Sequence, residues 1–306
     1  MKRFDVVGFG ALNVDELFKV SRIAGAEEES FVLDHSETCG GSAANTMVGL
    51  ARLGAHVGFI GKVGDDKEGR TLLEGFTKEN VDTNGTKVAR NGRSGKVMGF
   101  VDNDGQRALY IDPGVNDEIN SDDVDSDYVL NTSFLHLSSF VGEKSFDTQK
   151  NLIDRFAKKV KISLDPGALY ARAGLSKLKS IIENTFVTMP NAVELRLLTG
   201  EREFRTGAEL LINHGVKVVA VKLGNKGCYV TNGKESFLVE PFQVEVLDTT
   251  GAGDAFDAGF IYGLLSGRGL RECARIGNFV ASRCIMTMGA RTSLPTLKDL
   301  KTMKQA

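Results

Sequence analysis

The chain has 306 residues, 42% hydrophobic and 25% charged, with 35 glycines, five prolines and no tryptophan, which supports a large buried core and excludes disordered, collagen-like and disulfide-scaffold classes. Thirty-eight basic against 40 acidic side chains leave a formal charge of −2, too weak a positive field for a protein that neutralises many nucleic-acid phosphates. Cys39, Cys228, Cys273 and Cys284 stand far apart without CxxC or metal-ligand spacing, and read as reduced thiols of a cytoplasmic chain.

FDVVGFG at the N-terminus reads as a strand, and Asp5, Asn13 and Asp15 interrupt the apolar run before it resembles a signal peptide. A helix over 43–53, the strand HVGFIGKVG and a helix over 69–79 follow. The rhythm resumes with TSFLHLSS, a helix near 146–158, KISLDPG, a helix over 175–182, TFVTMP, a helix over 193–198, a helix near 206–214 and VKVVAVKLG. FQVEVLD alternates like a strand before an apolar helix beginning near Ala255. Strands this continuously apolar are buried on both faces, so the predicted class is α/β: a doubly wound, mostly parallel sheet flanked by helices. Residues 16–38 and 86–112 break this rhythm, and KVMGFVDNDGQRALYI carries a hairpin signal at Asp102–Gly105. They are expected to form a small β-sheet lid on one domain spanning 1–306, an ordinary edge hairpin being the plainer alternative. The best apolar run, Ala255–Leu265, is short and carries Asp257, so no membrane span is expected. His136, on an apolar strand, reads as a core histidine.

The densest chemistry lies in DTTGAGDAFDAGF, where a turn leads into the apolar helix. Gly251, Ala252 and Gly253 let the backbone approach a ligand closely, and the unpaired N–H groups of a helix start form an anion cradle. Asp254 could serve only as the helix N-cap. A carboxylate beside a phosphate cradle repels that ligand, however, unless it is aimed at the proton of a hydroxyl meeting the phosphorus. Asp254 then acts as general base while the amides hold the developing charge. No GxxxxGK[ST] loop is present, because His56 stands where a glycine would precede Gly61 and Lys62. GFGALN fails the dinucleotide fingerprint, because Asn13 takes the place of its third glycine.

DTTGAGDAFDAGF and CGGSAANTMVGLARLG together resemble the two signatures of the ribokinase, or PfkB, family of ATP-dependent carbohydrate kinases. GKVGDDKEGR, PGVN, DPG, NAVE and KLGNKG fall between them in the family's order, so the likeness spans nearly the whole chain. The resemblance implies a ribokinase-like fold with a β lid, Asp254 as base, and Gly251, Ala252 and Gly253 as anion hole. It places Asn13, Asp15, Gly40, Gly41 and Asn45 at the acceptor, the two glycines and Ser42 reading otherwise as a turn and cap. Asn191 and Glu194 are implied near the phosphates and hydrated Mg²⁺, although their spacing alone is that of a capping box. Lys222, Gly224 and Gly227 would border ATP, with Lys222 otherwise an exposed strand-end lysine. Asn278 would face adenine, or be a polar residue of a half-buried helix. Asp248, Thr250, Gly289 and Ser293 match a loop pair that holds a monovalent cation, such as K⁺, in several members, whereas Asp257 falls at a freely varying position. The acceptor is a sugar or a nucleoside: GGSAAN is similar to several nucleoside kinases, and Phe18, Phe31 and Phe100 form either a slot for a base or lid core. A sugar phosphate would call on Arg90, Arg93 or Arg107. A catalytically silent sensor is the third class, opposed by the intact base and cradle. Exposed lid edges in such a fold imply a homodimer.

Overall fold

A computed structural model describes residues 2–303. Thirteen strands run in chain order as β1 (Phe4–Phe9), β2 (Asn13–Val20), β3 (Val32–Gly40), β4 (Val57–Gly64), β5 (Thr86–Ala89), β6 (Gly95–Val101), β7 (Arg107–Asp112), β8 (Thr132–Leu137), β9 (Lys161–Leu164), β10 (Val187–Thr188), β11 (Val218–Lys222), β12 (Cys228–Thr231) and β13 (Ser236–Val239). Nine form one sheet in the order β13-β12-β11-β10-β9-β8-β1-β4-β5, parallel from β11 to β5 with an antiparallel β12–β13 edge. The other four form a second sheet, β3-β2-β6-β7.

β11 shows why its run reads as continuously apolar. Val218 and Ala220 belong to one core cluster, Val219 and Val221 to a second on the opposite face. Helices Ser42–Arg52, Ala252–Leu265 and Leu270–Cys284 cover the first face. Helices Glu143–Phe156, Gly167–Lys177, Ala192–Thr199 and Phe204–Asn213 cover the other. The strand order reverses between β1 and β8, and an open α/β sheet gathers its ligands at the carboxyl ends beside such a reversal.

The lid consists of Asn13–Gly40 and Gly95–Asp112 rather than 16–38 and 86–112. Thr86–Ala89 instead pairs in parallel with β4 as the last strand of the large sheet. The expected helix over 175–182 is two helices, Gly167–Lys177 and Lys179–Glu183, with non-helical backbone at Gly174. FQVEVLD forms no strand. Its Phe242, Gln243, Val244 and Val246 line a cavity, and the amides of Leu247 and Asp248 donate to Ile285 O, so the apolar residues of the segment belong to a cavity wall. All four cysteines are unpaired, and among the described residues no helix is long and apolar enough to cross a membrane.

Candidate active site

The helix Ala252–Leu265 starts from Gly251, whose φ of 76° is left-handed and favours glycine. A Cβ on Gly251 would also stand 2.5 Å from that of Ala290. Gly251 is therefore the N-cap, and the capping role open to Asp254 does not apply: Asp254 sits in the first turn with its side chain turned elsewhere. Its Oδ1 accepts from Ser42 Oγ at 2.7 Å and its Oδ2 from Asn45 Nδ2 at 2.8 Å. Both donors belong to the helix Ser42–Arg52, whose N-cap is Gly41 rather than Ser42. Burial pushes the Asp254 carboxyl up to about 7, with the Asn45 hydrogen bond pulling it down.

Asp254 lines a cavity of about 620 Å³ together with Gly253, Ser42, Asp165, Asn191, Glu194 and Lys222. That volume suits a nucleotide-sized ligand. Among the described residues, the amides of Gly253 and Asp254 have no protein acceptor. The amide of Ala252, expected in the anion hole, instead donates to Thr249 O at 3.2 Å and closes the preceding turn.

Asn191 and Glu194 form a full capping box: Asn191 Oδ1 accepts from the Val193 and Glu194 amides, and Glu194 Oε2 accepts from the Asn191 amide. Both residues also line the cavity, so structural and ligand-facing roles coincide there. Burial raises the Glu194 carboxyl, and the negative charge of Asp165 adds to it. Gly224, Gly227 and Asn278 border the same cavity. Asn278 Nδ2 donates to the carbonyls of Val239 and Glu240 at 3.0 and 2.9 Å, holding the start of the wall that runs through Phe242.

Lys222 is not the exposed lysine that its place at a strand end allows. Its ammonium is 2.9 Å from Asp165 Oδ2 and 3.2 Å from Asp257 Oδ1. Asp257, set aside in the sequence as variable, is fully buried. Burial drives its carboxyl well above the usual range against the pull of Lys222.

The residues expected at the acceptor lie on the other side of Asp254, outside that cavity. Asp15 projects across Gly40, where a Cβ would stand 2.1 Å from Asp15 Oδ2. Burial pushes the Asp15 carboxyl up to about 6, with the Arg291 charge opposing. Asn13 Oδ1 accepts from Asn116 Nδ2 at 2.9 Å, and buried Asn116 also bonds both backbone groups of Leu12. Arg291 was not foreseen; its Nε donates to Asn45 Oδ1 at 2.7 Å and its Nη2 to Gly40 O at 3.3 Å. Asn45 thereby links a buried guanidinium to the Asp254 carboxylate.

Register decides what the lid offers. Asp15 lies beside Thr38 and Val97, and Val97 beside Ile111; Leu17 lies beside Gly99, and Gly99 beside Leu109. The face carrying Asn13 and Asp15 therefore presents Leu17, Val97, Leu109 and Ile111 beside the polar Thr38 and Arg107, and no aromatic ring. Phe18 stacks on His35 and Phe100 on the opposite face. Phe31 is 79% exposed ahead of β3. Of the basic candidates, Arg93 pairs with Asp112, Arg90 is exposed, and Arg107 lies on the Asp15 face, where its charge reaches Asp248. Asp248 accepts from Thr250 and Gly289, while Ser293 Oγ bonds the carbonyls of Arg283 and Cys284. His136 is wholly buried against Ser163, a core histidine as expected, although its Nε2 has no hydrogen-bond partner among the described residues.

The chain is similar to known proteins over most of its length. Residues 3–297 match the profile of the pfkB family carbohydrate kinases. An uncharacterised sugar kinase of Archaeoglobus fulgidus is 46% identical over 255 residues, covering 82% of this chain and all of the relative. An ATP-dependent ribose-1-phosphate kinase of Halopiger xanaduensis is 31% identical over 293 residues, covering 95% of each chain. The crystal structure of a Thermotoga maritima ribokinase superposes with a TM-score of 0.86 at 25% identity, covering 98% of each chain. With the profile spanning both signatures, both sheets and the Asp254 helix, the chain belongs to the PfkB family and is a carbohydrate kinase.

Proposed function

We propose that the enzyme transfers the γ-phosphoryl group of ATP to a hydroxyl of a small sugar, with Asp254 as the general base. One observation carries this reading. A buried carboxylate, clamped by Ser42 and Asn45, stands at a helix start where two free amides face a nucleotide-sized cavity. Asp15 and Asn13 orient the acceptor hydroxyls from the other side. Asp254 takes the proton as the hydroxyl oxygen attacks the γ-phosphorus, the bond from that phosphorus to the β–γ bridging oxygen breaks and ADP leaves, and the amides of Gly253 and Asp254 stabilise the transferring oxygens. Carboxylates of Glu194 and Asp254 at the cavity wall fit a hydrated Mg²⁺, which when bound would neutralise phosphate charge. Asp248, Thr250, Gly289 and the carbonyls beside Ser293 are the place for K⁺, tested by turnover in K⁺ against tetramethylammonium buffers.

A sugar is favoured over a nucleoside because the lid face beside Asp15 offers no aromatic ring for a base to stack on, and the Phe18–Phe100 stack lies behind it. An assay of ATP consumption across free sugars, sugar phosphates and nucleosides, with and without Mg²⁺, tests the reading. Mg²⁺-dependent turnover of a free sugar is expected. Turnover of nucleosides alone would replace the acceptor, turnover of sugar phosphates alone would bring in Arg107, and ligand binding without turnover would leave a sensor.

A further inference from the structure

An ATP molecule entering the cavity meets the carboxylates of Asp165, Glu194 and Asp254, and among the described lining residues Lys222 is the one cationic side chain. Its setting is built from three elements. Lys222 is the last residue of β11, Asp165 follows β9, and Asp257 lies one helical turn beyond Asp254. The ammonium rests between Asp165 Oδ2 and Asp257 Oδ1, with side-chain exposures of 12%, 8% and 0% for Lys222, Asp165 and Asp257. It also stands 3.2 Å from where a Cβ of residue 253 would be, so it lies directly against the backbone of the anion hole. A Cβ at 253 would push the ammonium by a few tenths of an ångström. Asp257 Oδ2 is buried with no N–H or hydroxyl donor beside it, and the Asp165 and Asp257 carboxyls share a side-chain hydrogen bond, an arrangement of two acids that interior packing alone disfavours. Two carboxylates from different elements therefore converge on one ammonium, where a flexible lysine would otherwise sample many rotamers.

We propose that Asp165 and Asp257 are positioning residues that hold the Lys222 ammonium under Gly253, where it contacts the phosphoryl group in transfer. This rests on the kinase reading above and adds to it the protein's own cation at the phosphates. The ammonium complements charge that grows on the transferring oxygens, so its contribution falls on turnover more than on acceptor binding.

The test compares wild type, Lys222→Met/Asp257→Asn and Asp257→Asn. The double variant removes the ammonium together with one of its two carboxyl partners, leaving Asp165 as the acidic member of the cluster. Melting temperature, affinity for a non-hydrolysable ATP analogue with Mg²⁺, and separate kcat and KM values are measured. The double variant is expected to melt within about 3 °C of wild type, to bind the analogue more weakly, and to lose about 100-fold or more in kcat with acceptor KM within about twofold. Wild-type kcat in a folded double variant overturns the proposal and leaves the cluster a structural one. Should the double variant not fold, Asp257→Asn decides: about a tenfold loss of kcat at unchanged melting temperature supports the role, and unchanged kcat removes it. A wild type that fails to bind the analogue sinks the nucleotide reading itself, an outcome distinct from both.

Discussion

Asp254 is the base of the proposed transfer, and its burial sets two opposite pH dependences. In the folded protein its carboxyl ionises near 7, so kcat/KM is expected to rise with pH through that value as the base form appears. The unfolded chain ionises at about 4, and between the two values the folded state binds the extra proton. Its contribution to stability is therefore full below about 4 and lost as pH rises through 7. Asp15, pushed up to about 6, acts in the same direction. Asp254→Asn should lower kcat by about 10²–10⁴-fold and leave the fold intact. It should also become more stable relative to wild type as pH increases from 4 to 8, read as melting-temperature differences. A pH-independent difference would show that the carboxylate is not buried as described. Gly40→Ala would drive Asp15 from its place, and acceptor KM should rise about tenfold or more with ATP KM little changed.

At the scale of elements, two helices hold the base. Ser42 and Asn45 reach Asp254 from the helix Ser42–Arg52, and Thr46 Oγ1 adds a bond to Asp254 O. Behind them, the helices Ala252–Leu265 and Leu270–Cys284 meet through glycine. A Cβ on Gly259 would lie 2.8 Å from Ile276 O and 2.9 Å from Gly277 Cα. Gly259→Val should therefore cost about 1–3 kcal/mol in urea unfolding and reduce kcat by shifting the start of the Asp254 helix. The hydrophobic period made the helices Ser42–Arg52, Lys67–Lys78 and Phe204–Asn213 legible to within a few residues, because their apolar stripes face the sheet. It failed at FQVEVLD, because apolar residues spaced along a cavity wall and along a strand leave the same trace in sequence.

For the molecule as a whole, the lid is the part with unfinished surface. Leu109 and Ile111 are 54% and 48% exposed on the face that carries Asp15. We propose that a second copy of the chain covers this lid, since β3 and β7 leave free edges and the patch adjoins the acceptor side. Sedimentation should give a dimer at micromolar concentration, and Leu109→Lys/Ile111→Lys should give a monomer with raised acceptor KM. A wild-type monomer at that concentration would reject the assembly.

The sequence by itself determined the α/β class, the presence of a small second sheet and the family, because continuous apolar runs, turn residues and two signatures are local properties of the chain. The place of Asp254 at the start of its helix was also legible there, whereas Asn13 and Asp15 as acceptor residues followed only from the family resemblance. Tertiary structure alone decided that Lys222 is buried between Asp165 and Asp257, that Arg291 reaches Asn45, that Thr86–Ala89 leaves the lid for the large sheet, and that Phe18 and Phe100 face away from Asp15. The reason is physical: a charge pair between residues 35 or 57 positions apart, or a face assignment in a sheet, follows from strand order and register, and neither leaves a period in the sequence.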